Sequence, residues 1–189
     1  MITDYKIILA SKSPRRKELL EGLDIPFEVI VREVEETFPD WLSMEEVPVY
    51  LAKLKAVPFC NELSSNTLVI TADTIVWIDG TVLGKPLNCS SAAEMLRQLS
   101  GKKHIVVTGV CLTTKGKQVV FSASTDVYFK NLSDSEIEYY LRKYHPYDKA
   151  GSYGVQEWIG YIGIERIEGS YFNVMGLPVK QLYEELLKF

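Results

Sequence analysis

The stretch ILASKSPRRKELLEGL, residues 8–23, reads as a strand, a tight turn and a helix. Ile7, Ile8 and Leu9 form the apolar run of a buried strand. Ser13 is a good helix N-cap, and Pro14 suits the first helical position, where a missing N–H costs nothing. Leu19, Leu20 and Leu23 supply a buried stripe, and Gly22 permits the left-handed residue that stops a helix. The link between strand and helix is therefore ASKS, residues 10–13.

Charge makes this turn unusual. Arg15, Arg16 and Lys17 occupy the first helical turn, where unpaired backbone N–H groups and the positive end of the helix dipole converge. A cation there loses about 0.3–1 kcal/mol unless an anion joins it. A phosphate group would satisfy the amides, the hydroxyls of Ser11 and Ser13, and the guanidinium forks together. The alternative is three basic side chains pointing into solvent from an ordinary helix.

With 189 residues, 47% hydrophobic and 24% charged, the chain suits a soluble globular protein with a sizeable core, and one domain is the default. A net charge of -4 argues against a general nucleic-acid surface, so any anion site must be local. Cys60, Cys89 and Cys111 are odd in number and widely spaced, which suits small core residues better than disulfides or a zinc site. The opening MITDYKII has no secretory pattern, and no apolar run reaches membrane-spanning length, so the expected location is the cytoplasm.

Downstream, alternation predicts a strand from Phe27 to Val31, then an acidic segment with Glu33, Glu35 and Glu36. A helix over 45–57 follows, with Ser43 and Glu46 as a capping box, and it carries Lys53 and Lys55. TLVITADTIVWIDG predicts a strand over 67–71, a break at Ala72-Asp73-Thr74, a further strand and a turn at Asp79-Gly80. A capped helix ending at Gly101 and strands over 105–113 and 118–128 come next, then a helix behind the Ser133–Glu136 capping box. YHPYDKAGSYGVQEWIG, residues 144–160, has neither period and reads as a functional loop. YIGIERIEGSYFNVMG predicts a hairpin turning near Glu168-Gly169, before a C-terminal amphipathic helix. The fold class is α/β with a mixed sheet.

Asp73 sits at the predicted end of an apolar strand between Thr71 and Thr74, where a carboxylate either caps the next turn or does chemistry. Glu33 is either one of a solvated acidic run or a partner to Asp73. Carboxylates without His/Cys spacing suit Mg²⁺ or Mn²⁺ shared with phosphate. His104 and His145, the only histidines, read as structural. Lys53 and Lys85 are surface lysines or phosphate ligands. The glycine-rich nucleotide motifs are missing, since Gly84-Lys85 is followed by Pro86.

LASKSPRRKELL, EVEE, LAKLKA, TADTIV, LGKP, LRQLSGKKH, DKAGSYGVQ and GSYFNVMGLPV occur here in the order seen in the Maf proteins, and cover nearly the whole chain. The resemblance implies an elongated α/β fold shared with the inosine triphosphate pyrophosphatases, with residues 1–189 as one domain of two lobes around a central cleft. It further implies a nucleoside triphosphate pyrophosphatase that uses a divalent cation and is often a homodimer, with no membrane or stable nucleic-acid partner. By matched position, Asp73 resembles the family's proton acceptor, and on their oxygen chemistry Asp73 and Glu33 are the candidate metal ligands. Arg15, Thr74 and Gln156 resemble its specificity residues, and Ser11, Arg16, Glu33, Lys53 and Lys85 correspond to polar residues that line its cleft. AGSYGVQ resembles the dTTP/UTP branch. An amide at Gln156 donates and accepts as the edge of uracil or thymine requires, and modified pyrimidine triphosphates fall under the same reading. Lys12, Glu157 and Trp158 depart from the common family pattern and bear on selectivity. The competing class is a cell-division regulator that holds a nucleotide or nucleic acid without turnover.

Overall fold

The computed structural model describes residues 4–189. Strand β1 (Lys6–Leu9) leads into helix α1 (Pro14–Glu21), with Ser13 accepting the Arg16 N–H as the N-cap. Leu19 and Leu20 are buried. Gly22 does not take the left-handed role expected of it: its φ is -65°, and the residue with positive φ is Asp24, at 54°. The N–H groups of Gly22, Leu23 and Asp24 bond to Glu18, Leu20 and Glu21, so the helix tightens for three residues before the chain reverses.

Strand β2 (Phe27–Val29) is shorter than expected, because at the sheet edge it finds three partners, Ile7 to Leu9 of parallel β1. Helix α2 (Glu46–Ala56) follows, and Glu46 accepts the Ser43 N–H at 2.8 Å. Strand β3 (Thr67–Ile78) runs unbroken through Ala72-Asp73-Thr74, where the sequence suggests an interruption. It is held at both ends, by parallel β1 along Thr67–Ile70 and by antiparallel β4 (Thr81–Leu83) along Val76–Ile78. The β3–β4 turn at Asp79-Gly80 has positive φ at both residues, 49° and 81°, as a two-residue hairpin loop requires.

Helix α3 (Cys89–Leu99), capped by Asn88, is followed by strands β5 (Lys103–Thr113) and β6 (Gln118–Phe129). Helix α4 (Asp134–Tyr144) begins at the reciprocal Ser133–Glu136 box. The aperiodic stretch contains a short 3-10 turn at Ala150–Ser152 and ends in helix α5 (Trp158–Gly163). Strand β7 (Ile164–Glu168) pairs antiparallel with β6, and the chain then enters helix α6 (Tyr171–Met175) rather than a second hairpin strand. Local bonds decide this: Thr125 Oγ1 accepts from the Ser170 N–H at 3.1 Å and from the Asn173 amide at 3.0 Å, curling the segment instead of extending it. Helix α7 (Val179–Leu186) is the last element.

The sheet order is β2-β1-β3-β5-β6-β7, with β4 added on β3. The chain divides into two compact units. The first takes the chain up to Asp73, Thr108–Ala123 and Gly176–Phe189, with buried Leu9, Leu20, Ile70, Ala52 and Cys111 in its core. The second takes Thr74–Val107 and Ser124–Met175, with buried Leu96, Leu99, Ile137, Tyr140 and Ile159. Of the cysteines only Cys111 is a core residue, and Cys60 and Cys89 are exposed. Cys60 lies just past the last turn of α2, bonding back to Ala56 O, and Cys89 opens α3. Among the described residues no helix is long and apolar enough to cross a membrane.

Candidate active site

In the first unit, two close approaches set α2 against the sheet. A Cβ on Gly109 of β5 would sit 2.4 Å from the backbone of Pro48 and Val49, so helix and strand touch where only glycine fits. Thr71 of β3 donates its hydroxyl to Ala52 O at 2.7 Å. Asp73 lies two residues on, on the same strand face as Thr71, and Lys55 lies three residues on, on the same helix side as Ala52. Lys55 Nζ accordingly reaches Asp73 Oδ1 at 2.6 Å and Glu36 Oε2 at 3.1 Å.

The ASKS turn joins this cluster electrostatically. Ser11 is buried and its hydroxyl oxygen accepts the Ser13 N–H at 3.2 Å, while Ser13 caps α1. Arg16 is half-buried and donates Nε–H to Gly176 O at 2.8 Å. Burial pushes its pKa down, the Asp73 and Glu36 carboxylates oppose this, and Arg15 adds to it. The guanidinium stays charged. Arg15, Arg16, Lys55, Asp73 and Glu36 thus feel one another inside a single unit.

Two residues singled out from the sequence are exposed and do not pair with Asp73. Glu33 is exposed and pairs with Lys12 at 2.6 Å, whose hydrogen bond draws the Glu33 carboxyl below its usual pKa. Lys53 is exposed on α2. The side chains that cluster with Asp73 are Lys55 and, through it, Glu36. Lys55 had a signal in the sequence, since it falls four residues after buried Leu51, beside the stripe that Val47, Leu51, Ala52 and Ala56 trace. Glu36 had none, because the acidic run has no period.

In the second unit, Thr74 is half-buried on β3 and Lys85 is exposed beyond β4. The neighbouring Gly84 accepts the Gly151 N–H at 3.1 Å, tying the LGKP segment to the aperiodic loop. That loop takes φ of 66° at Gly151 and 62° at Ser152. Its Tyr153 is buried with Oη 2.7 Å from His104 Nε2. Gln156 Oε1 is buried and has no hydrogen-bond partner among the described residues. Such an acceptor costs about 1–3 kcal/mol unless a ligand supplies a donor.

Among the described residues no group of three or more His, Cys, Asp or Glu is placed to hold a metal. Asp73 and Glu36 nevertheless offer two hard oxygen donors on either side of one ammonium. Mg²⁺ and its analogues are commonly held by one or two carboxylates together with substrate phosphates, so this donor set fits.

The profile of the family described as Maf-like protein matches residues 6–189. The chain belongs to the Maf-like protein family. Among its curated relatives, the dTTP/UTP pyrophosphatase of Phocaeicola vulgatus is 62% identical over 97% of this Maf-like chain and 96% of its own. The dTTP/UTP pyrophosphatases of Porphyromonas gingivalis and Christiangramia forsetii are 57% and 48% identical, each over 98% of this chain and 94% and 95% of their own. The solved structure of the Staphylococcus aureus Ham1 protein matches with a TM-score of 0.53 at 18% identity, over 95% of this Maf-like chain and 99% of the other, a likeness of fold.

Proposed function

We propose that this Maf-like protein hydrolyses dTTP and UTP between the α- and β-phosphates, releasing the nucleoside monophosphate and pyrophosphate, with residues 1–189 working as one catalytic domain. The names of the curated relatives support the reaction and the substrate class. The observation that carries the reading is the Lys55–Asp73–Glu36 cluster beside an arginine-bearing helix N-terminus.

In this reading Asp73 accepts the proton of the water that attacks the α-phosphorus, and Lys55 holds the carboxylate in one orientation. The backbone N–H groups of the ASKS turn, the hydroxyls of Ser11 and Ser13, and the guanidinium groups of Arg15 and Arg16 bind the triphosphate oxygens. They meet charge that builds up as pyrophosphate leaves, and Lys85 shares that role. A divalent cation held by Asp73 and Glu36 with the phosphates would supply Lewis-acid charge neutralisation. Thr74 and Gln156 are assigned to recognition of the nucleoside. Gln156 Oε1 accepts the N3–H of uracil or thymine, and its amide N–H donates to O4. Adenine, whose N1 is an acceptor, leaves Oε1 unpaired and is rejected on that account.

The test is pyrophosphate release from UTP, dTTP, GTP and ATP with Mg²⁺ or Mn²⁺, on the natural protein, Asp73→Asn and Gln156→Ala. Pyrimidine triphosphates should be turned over fastest, and Asp73→Asn should lose about 10²–10⁴-fold in rate. Retention of nucleotide without pyrophosphate release would favour a binding protein instead, and preference for a purine would overturn the substrate class.

A further inference from the structure

The turn that carries Gln156 is held by residues outside the chemistry. Tyr140 on α4, fully buried, accepts the Gly154 N–H on its hydroxyl oxygen at 3.0 Å and donates its O–H to the Glu157 carboxylate. Burial and that carboxylate push the phenol pKa well above its usual range, so the O–H persists as a donor. Lys149, also buried, places Nζ 3.1 Å from the other oxygen of Glu157 and 2.7 Å from Asp148 Oδ1. The Glu157 N–H returns to Gly154 O at 3.0 Å and closes the four-residue turn.

Space is as tight as the bonding. A Cβ on Gly154 would lie 2.8 Å from Glu157 Cδ, so the carboxyl group packs directly on the turn backbone. On the other flank, a Cβ on Gly160 would lie 1.9 Å from Val155 O, and the Gly160 N–H bonds Glu157 O at 2.8 Å. Gln156 sits between these two clamps.

We infer that Glu157 is a positioning residue for base selection: braced by Lys149 and Tyr140, its carboxylate fixes turn 154–157 so that Gln156 presents Oε1, buried and unpartnered, to a pyrimidine N3–H. The inference rests on the reading of Gln156 given above. Removing the carboxylate leaves Tyr140 O–H without its acceptor and Lys149 with Asp148 alone. The turn then relaxes, and the Gln156 amide can satisfy itself internally. Discrimination between bases falls, whereas Asp73 on β3 keeps its own partners.

A residue that merely supported the fold would reduce turnover of every nucleotide in parallel. The experiment therefore compares kcat and KM for UTP and ATP, with melting temperature, in Glu157→Ala, Glu157→Gln, Tyr140→Phe and Gln156→Ala. Glu157→Ala should lower the UTP-to-ATP ratio of kcat/KM by about tenfold, more through KM for UTP than through kcat. Glu157→Gln still accepts the Tyr140 hydrogen bond and should restore most of the ratio. Tyr140→Phe deletes one oxygen and should fall between them, and it carries the test if Glu157→Ala does not fold. An unchanged ratio in Glu157→Ala and Tyr140→Phe, or an equal loss on both nucleotides, overturns the inference. If Gln156→Ala also leaves the ratio unchanged, the reading of Gln156 fails as well. If Gln156→Ala alone collapses it, only the role of Glu157 fails.

Discussion

Lys55 Nζ lies 2.6 Å from Asp73 Oδ1, in an ion pair whose side chains are only 14% and 12% exposed. Removing one member of a pair this buried strands the other, which costs about 3–5 kcal/mol. Lys55→Met should therefore lower both the melting temperature and the rate of pyrophosphate release steeply. Lys53→Met, at an exposed position of the same helix, should stay within about 0.5 kcal/mol of the parent. Thermal denaturation and turnover measured on both variants decide the matter; equal losses would mean that the pair is not the centre of the site.

Glu36 and Glu33 separate in the same way. Glu36 approaches Lys55 at 3.1 Å, whereas Glu33 is 85% exposed and bound to Lys12, a surface pair of little energetic weight. Glu36→Gln should raise the Mn²⁺ or Mg²⁺ concentration for half-maximal rate by about tenfold or more, while Glu33→Gln leaves it near the parental value. Metal titrations of pyrophosphate release provide the comparison. A shift confined to Glu33→Gln would move the carboxylate role back to that residue.

Gly109 faces backbone, which cannot move aside as a flexible side chain can. An alanine methyl would meet Pro48 and Val49 main-chain atoms at 2.4 Å and push α2 off β5. Gly109→Ala should cost about 1–3 kcal/mol or more in stability. Because Lys55 rides on α2, activity should fall with it. A crystal structure of the variant should show a lengthened Lys55–Asp73 distance; an unchanged distance with full activity would show that the contact does not position the site.

How far the sequence could be read follows from where its information is local. Ser13-Pro14, Ser133–Glu136 and Asp79-Gly80 act within a few residues, and each forms as its residue types require. The continuous course of β3 through Asp73 is non-local, since it depends on β1 at one end and β4 at the other. The fate of residues 170–173 is equally non-local, because Thr125 on a distant strand supplies the acceptor that curls them. The site divides along the same line: the arginine-rich turn and Asp73 stand out in one dimension. That Lys55 rather than Lys53 pairs with Asp73, and Glu36 rather than Glu33 with Lys55, depends on how α2 and the acidic run pack on β3, which is non-local.

His104 gives the chain a stability that depends on pH. It is 1% exposed, its Nδ1 has no hydrogen-bond partner among the described residues, and its ring meets Phe129 and Tyr153 edge to face. Burial pushes its pKa from 6.5 down to about 4, against a weaker opposing pull from Asp126. Between those values the unfolded chain binds a proton that the folded chain refuses, so stability is complete above pH 6.5 and drains away as pH falls toward 4. A shift of this size corresponds to about 3 kcal/mol. Urea denaturation of the parent and of His104→Gln at pH 7 and pH 4.5 should show the parent losing more stability across that interval, although the variant starts lower. Glutamine can still hydrogen-bond Tyr153 but does not titrate, so parallel losses in the two proteins would place the acid sensitivity in other groups.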